Sequence, residues 1–469
     1  MKISLIVPGP EINMYKLGGI RIPNVGVVYL GTILRNAGHE VRIFDENLAR
    51  AVDWKGNLRK EVLDADAFGI SLLTPSSYRG YIYADQIRKA KPGAKIVIGG
   101  MHATAMPEEA AQHADQVVTK EAEDIVVKIF EGEITDKIVT GHPVDIDSLP
   151  FPDFNLLADF ERITLFPISA SRGCPYNCPF CQVPSAFERN YRARDPKSLE
   201  EELAMRWENG HRVLFFNDDL FGLNAQKTND FMEGLVRRGI RFDGISAETR
   251  AGIIKNNPDL LRLMKRLGFY KIHVGIESVN EENLKAYNKK QTISEIAEAV
   301  KVANREGISI NGMFILGMDN DDADTVQRTV DFIRNLYIDT ATFSILYPIP
   351  GTPLFNALEQ EGRIISKDWS LYDGTHVVFK PKNLSPIHLQ KMWVSAWKTL
   401  YTWYTKYGLA NRGFFRLFWY PKNKEYVRAL IENKLSSMKS MLMKSRVPTN
   451  LRLNMMETFV ERVLTNSSR

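Results

Sequence analysis

Ser171-Arg172-Gly173-Cys174-Pro175-Tyr176-Asn177-Cys178-Pro179-Phe180-Cys181 holds every cysteine of the 469-residue chain. It begins at the end of an apolar run, 167–171, that reads as a β-strand. Spacings of four and three residues put three thiols on one tight loop, and Gly173, Pro175 and Pro179 keep that loop from becoming a helix. A disulfide framework needs an even number of cysteines spread along the chain. Three within one eight-residue window read instead as metal ligands kept reduced inside a cell. Soft thiolates at short spacing select zinc or iron–sulfur. Structural zinc takes four ligands, and no histidine lies nearer in sequence than His142 or His211. Three cysteines on a [4Fe–4S] cube leave one iron with an open site, which a catalytic metal needs. The bland alternative, three buried structural cysteines, sits badly with the absence of any other cysteine in the chain.

Working outward, the segment after the loop alternates strand and helix. Candidate strands are 167–171, 213–217, 244–248, 271–276, 309–316 and 342–346. Six strand–helix units are too few for a closed eight-fold barrel, so an open partial (β/α)6 TIM barrel is expected over 167–380. Its chemistry belongs on the loops leaving the strand C-termini, where the cysteines fall. Before the loop, Asp145-Ile146-Asp147-Ser148-Leu149-Pro150-Phe151-Pro152-Asp153 reads as extended linker, and a linker is assigned to 146–166. Residues 1–145 read as a separate parallel α/β domain of the flavodoxin-like, Rossmann type. Its candidate strands are 3–7, 41–45, 67–73, 96–99 and 116–119, and a helix over 25–37 is stopped by Gly38. From 381 onward the chain reads as a helical C-terminal domain.

Hydrophobic residues make up 44% and charged residues 25%, the balance of a globular protein. No stretch reaches the ~18 uninterrupted apolar residues of a membrane span, and the short apolar N-terminus stops at Pro8. A cytoplasmic location is expected. The net charge of +5 is uneven: residues 386–469 hold 15 Lys and Arg against 4 Asp and Glu. Trp393, Trp397, Tyr401, Trp403, Tyr404, Tyr407, Phe414, Phe415, Phe418, Trp419 and Tyr420 lie in the same segment. Helical aromatics usually pack on their own core, and that is the favoured reading. The same composition also suits a surface resting on anionic lipid, or one accepting a greasy substrate. No motif supports a nucleic-acid partner.

Cys-x-x-x-Cys-x-aromatic-Cys, with Phe180 as the aromatic, resembles the signature of the radical S-adenosylmethionine (SAM) superfamily. The resemblance implies a [4Fe–4S] cluster on Cys174, Cys178 and Cys181, whose open iron chelates the amino and carboxylate groups of SAM. Reduction by a donor such as flavodoxin or ferredoxin then yields a 5′-deoxyadenosyl radical that abstracts hydrogen from substrate. The resemblance assigns further SAM contacts. Phe215-Phe216-Asn217-Asp218-Asp219 stands where the family has Gly-Gly-Glu, so Asp218 and Asp219 face the SAM amino group, with a helix cap as rival role. Arg250 pairs with the carboxylate, Glu277 in Val274-Gly275-Ile276-Glu277-Ser278 with the ribose, and Gly317 of Gly312-Met313-Phe314-Ile315-Leu316-Gly317 flanks adenine. A surface ion pair is the rival for Arg250, and a backbone turn for Glu277.

The first domain resembles the cobalamin-binding domain of one large class within that superfamily. The resemblance rests on Pro23-Asn24-Val25-Gly26-Val27-Val28-Tyr29-Leu30, Ser71-Leu72-Leu73-Thr74, Gly99-Gly100-Met101-His102-Ala103-Thr104, Lys120-Glu121-Ala122-Glu123 and the Pro-rich linker. Gly99 and Gly100 let backbone approach a broad planar ligand, Ser71 and Thr74 offer hydroxyls, and His102 is taken as a further cobalamin contact. None of the eight histidines stands in the Asp-x-His-x-x-Gly context of a cobalt ligand. Cobalamin is therefore expected to bind with its base displaced and no histidine on cobalt. A cofactor-free interaction domain is the alternative. The class implies a C-methyltransferase that acts through a 5′-deoxyadenosyl radical and methylcobalamin on a hydrophobic acceptor such as a hopanoid, another lipid or a tetrapyrrole. Oxidative cyclisation or ring rearrangement without methyl transfer, and cobalamin carriage without turnover, are the other readings.

Overall fold

The computed structural model describes residues 1–10 and 19–406, with side chains to Tyr401. Six parallel strands form the first sheet: β1 (Lys2–Val7), β2 (Glu40–Asp45), β3 (Ala67–Ser71), β4 (Lys95–Gly99), β5 (Gln116–Thr119) and β6 (Ile138–Thr140), in the order β2-β1-β3-β4-β5-β6. The inner strands are covered on both faces and so read as nearly continuous apolar runs, Ile3 to Val7 and Ile96 to Ile98 all being buried, with Ser4 the one polar side chain among them. Ser4 bonds the Val62 carbonyl at 2.9 Å. The helix Val25–Asn36 starts on Asn24, whose side chain accepts from the Val27 amide, and Gly38 follows its end at φ 92°. The sequence reading missed β6, a three-residue edge strand with two exposed residues and no apolar run to announce it. Strand order reverses between β1 and β3, and a crevice opens beyond their carboxyl ends.

The second sheet is β7 (Phe166–Ile168), β10 (Val213–Phe216), β11 (Gly244–Thr249), β12 (Phe269–Glu277), β13 (Ser309–Leu316) and β14 (Thr340–Ile345). All are parallel and sequential, an open six-stranded barrel. The expected first strand splits in two. After β7 the chain turns into a small antiparallel ribbon, β8 (Ser171–Arg172) with β9 (Arg192–Ala193), which carries the cysteine loop at its tip. At the other edge the helix Pro386–Lys406 covers β14. Trp393 Nε1 donates to the Phe343 carbonyl at 2.8 Å, the Tyr401 hydroxyl to Ala341 at 2.6 Å, and Trp397 sets its edge against the Phe343 ring. These three aromatics pack on the barrel. Tyr407, the later aromatics and most of the basic tail lie outside the described residues, as does most of the expected helical domain. Among the described residues no helix is long and apolar enough to cross a membrane.

The stretch between the sheets is packed, not a free tether. The Asp153 N–H donates to the Thr32 hydroxyl and its carboxylate pairs with Arg35, the Ala158 N–H donates to the Ile43 carbonyl, and the Thr164 N–H donates to the Arg21 carbonyl. His211 stacks on Phe166 with centroids 3.8 Å apart, and burial, then Arg206, pushes its pKa down to about 4. Inside the barrel burial, then Lys271, holds His273 at about 4 as well. Both imidazoles are neutral in the fold and take up a proton on unfolding below the ordinary value of 6.5. Their stabilisation is therefore complete above 6.5 and is lost as pH falls toward 4. The urea midpoint is expected to drop between about pH 7 and about pH 5, and His211→Phe, which keeps the stacking, should make that drop shallower.

Candidate active site

The cysteine loop is held at both stems. Gly173 stands at φ 81°, where an added Cβ would lie 2.1 Å from the Asn190 carbonyl, and its N–H donates to Asp219 Oδ2 at 2.9 Å. The Ser171 hydroxyl donates to Asp218 at 2.5 Å and the Ala170 N–H to the same carboxylate at 3.2 Å. On the far side Asn288, itself at φ 50°, donates through Nδ2 to the Asn177 carbonyl at 3.0 Å and accepts from the Cys178 thiol at 3.9 Å. Cys178 is buried, Cys174 and Cys181 are half-buried, and Phe180 packs on the barrel core near Tyr287. Burial pushes the Cys181 thiol up to about 12 and raises Cys174 too, so ionising them needs nearby positive charge. Among the described residues no three His, Cys, Asp or Glu side chains gather as a single ion requires. Three soft donors spread over one loop are the donor set that an iron–sulfur cluster, and not a single ion, would take.

Several expected SAM contacts have other tasks. Asp218 is buried beneath the loop and committed to Ser171 and Ala170; burial pushes its pKa up to about 7. Its two bonds lie under the stem of the loop, and it is not among the residues lining the adjoining cavity. Asp219 pins Gly173 and also faces a cavity. Glu277, at φ 66° on the end of β12, forms an ion pair with the buried Lys289, so the carboxylate expected to meet a ribose is already neutralised. Gly317 makes a turn at φ 100°, with its N–H on Asp321 at 2.7 Å and Leu389 only 2.6 Å from where a Cβ would stand. Arg250 lies against the cysteine loop and also approaches the Lys290 carbonyl at 3.4 Å. Its guanidinium lies 3.8 Å over the Tyr176 ring inside the loop, and its charge acts on Cys174. Sequence reasoning gave no role to Glu248 on β11. Burial, then Asp219 and Glu277, pushes its pKa up to about 7.

A cavity of about 310 Å³ joins the two sheets. Its floor is Leu5, Gly69, Val97 and Phe130; Ser71, Leu73, Gly99 and Gly100 line it from the first sheet, and Ser171, Arg172 and Asp219 from the stem of the cysteine loop. That volume is at the small end of the range for ligand pockets. Thr74 and His102 do not line it. His102 is fully buried, with Nδ1 3.2 Å from Thr74 Oγ1 and Nε2 3.4 Å from Glu109, which in turn accepts from Trp369 Nε1 at 3.0 Å. The pair forms a packed cross-link to the segment after the barrel. Gly100 stands at φ 94°, and a Cβ there would lie 2.7 Å from the Leu72 backbone. Gly100→Ala is expected to lower stability by about 1–3 kcal/mol and to weaken cobalamin uptake, read by thermal melting and equilibrium dialysis.

A family model for the radical SAM superfamily matches residues 168–333, and one for the B12 binding domain matches 18–130. Bacteriochlorophyllide d C-12(1)-methyltransferase of Chlorobaculum tepidum is 30% identical over 353 residues, covering 72% of this chain and 75% of that protein. Hopanoid C-3 methylase of Methylococcus capsulatus is 26% identical over 407 residues, covering 81% and 76%. In fold the chain is similar to the cobalamin-dependent S-adenosylmethionine radical enzyme OxsB, solved with aqua-cobalamin and S-adenosylmethionine bound. The TM-score is 0.69 at 15% identity, over 100% of this chain and 80% of that one. With the cysteine loop at the mouth of an open barrel and a cavity running from it into a flavodoxin-like sheet, the chain belongs to the cobalamin-binding class of the radical SAM superfamily.

Proposed function

We propose that this enzyme methylates a carbon of a hydrophobic small molecule, of lipid or tetrapyrrole type. One observation carries the reading: a single cavity has walls from both the strand ends of the first sheet and the stem of the cysteine loop. When bound, the cluster with SAM supplies a hydrogen-abstracting radical and cobalamin supplies a methyl group. Cys174, Cys178 and Cys181 ligate the cluster, with Phe180 packing the loop. Arg250 receives the SAM carboxylate in bidentate fashion, Asp219 orients the loop beneath it, and Gly317 is the glycine that would flank adenine. Ser71, Gly99 and Gly100 would receive cobalamin, and His102, bonded to Thr74 and Glu109, is directed away from the cavity they line. An acidic one-electron donor of flavodoxin or ferredoxin type supplies the reducing electron. The apolar acceptor is supported by the names of the relatives, which act on bacteriochlorophyllide d and on hopanoids. The basic, aromatic tail read from the sequence supports delivery of that acceptor from an anionic lipid surface.

The test is oxygen-free reconstitution with iron, sulfide and hydroxocobalamin, followed by SAM, reductant and either bacteriochlorophyllide or hopanoid. Methyl transfer makes S-adenosylhomocysteine and 5′-deoxyadenosine together with an acceptor heavier by one methylene. Acceptor conversion with 5′-deoxyadenosine and no S-adenosylhomocysteine would replace the reading with cyclisation or rearrangement.

A further inference from the structure

Arg172 stands between the two halves of the site. It is the last residue of β8, two positions before Cys174, so at most about 7 Å of chain separates them. Its guanidinium reaches into the first domain, where Nη1 donates to Glu121 at 3.1 Å and to Glu123 at 2.5 Å, over the ring of Tyr29. Arg192, the cross-strand partner of Arg172 on the ribbon, donates to the same Glu121 oxygen at 2.6 Å. Two arginines side by side would repel, and the two carboxylates of the β5 loop remove that repulsion. The side chains of Glu121 and Glu123 are 6% and 7% exposed and that of Arg172 is 13% exposed, so the clamp works with little screening by water. Arg172, Glu121 and Glu123 also line the cavity.

We infer that Arg172 is a positioning residue that fixes how far, and at what angle, the cluster stands from the corrin. This rests on the reading above that the loop holds the cluster and the cavity holds cobalamin. Both bonds from Arg172 leave the same Nη1, at the tip of a side chain longer than lysine's and held in a fixed planar fork, whereas an ammonium is a point charge on a shorter, flexible stem. Arg172→Lys therefore keeps the charge and loses the geometry. Glu123→Gln removes one anion and keeps most of the shape. A misplacement of about 1 Å between reacting groups is enough to cost about 100-fold in rate.

The experiment uses the full chain loaded with iron, sulfide and hydroxocobalamin, comparing wild type with Arg172→Lys and Glu123→Gln. One readout is the magnetic coupling between the reduced cluster and cobalt(II) by electron paramagnetic resonance, which needs no acceptor and no turnover. The other is the ratio of S-adenosylhomocysteine to 5′-deoxyadenosine formed from SAM and titanium(III) citrate. Both variants should retain iron and cobalamin and still form 5′-deoxyadenosine, with altered coupling and a ratio lower by about 10- to 100-fold. Unchanged coupling and ratio in both variants would overturn the inference. So would loss of bound iron or cobalamin from both, which would make the clamp a fold support. A wild type that couples its two metals yet makes no S-adenosylhomocysteine would sink the methyl-transfer reading, while the coupling comparison still decides the role of Arg172. A wild type that takes up no cobalamin overturns both.

Discussion

Cys178→Ala should yield a protein that binds cobalamin as the wild type does, yet forms no 5′-deoxyadenosine above background. Cys178 is the buried member of the three thiols, and its neighbours Asn177 and Asn288 lock it into the loop. With one ligand gone, two half-buried cysteines remain to hold a cube that needs three. The brown absorbance of the cluster should be lost after desalting. The cavity contains no cysteine in its lining, so uptake of hydroxocobalamin by the first domain should be unaffected. The pair of measurements separates an enzyme from a cobalamin carrier, because a carrier would keep its function in this variant. Retention of the full cluster absorbance in Cys178→Ala would mean that the ligand set has been misassigned.

Glu202→Ala should be among the most destabilising single changes in the protein, at about 3–5 kcal/mol. Glu202 is 1% exposed, on the helix Pro196–Glu208, and forms ion pairs with Arg194 and, at 3.0 Å, with Arg206. Both arginines are themselves buried. Their other contacts tie the linker to the barrel: Arg206 donates to the Pro152 carbonyl at 2.6 Å and lies over Phe154, and Arg194 lies over Phe151. Removing the anion leaves two guanidinium groups buried with partial compensation at best. Replacing all three with apolar residues of similar size should recover most of the loss, since burying no charge avoids the desolvation penalty. Urea unfolding followed by tryptophan fluorescence reads both. A loss below about 1 kcal/mol in Glu202→Ala, the level of an exposed pair, would show that water reaches the triad.

The sequence disclosed the parts of this fold that repeat a local pattern. Inner strands such as β1 and β4 are apolar runs, and the three cysteines with their glycine and prolines need no distant partner to be read as a ligand loop. Residues whose role depends on a distant partner were read less well. Asp218 and Asp219 end a strand as the family's acidic motif does, yet the first turned inward to Ser171 because the ribbon β8–β9 passes over it. Thr74 and His102 lie close to true cavity residues, Ser71 and Gly100, but the short helix Met101–Ala105 aims His102 into the packed side of the sheet. Arg172 was in plain view next to the cysteines. Its function lies in carboxylates about fifty positions earlier, and nothing in the spacing of charges announces which lobe they come from. Edge strand β6 was missed for the plainer reason that exposed residues leave no hydrophobic period.

The seam between the lobes has a thermal consequence. Arg172 with Glu121 and Glu123, Arg194 with Glu202, and Trp369 with Glu109 all cross or brace the same junction, and most of these groups are shielded from water. Opening one lobe alone would strand Arg172 from Glu121 and Glu123, so the two lobes are expected to melt together. A ligand held in the cavity that both lobes line is therefore expected to raise the melting temperature of the two together.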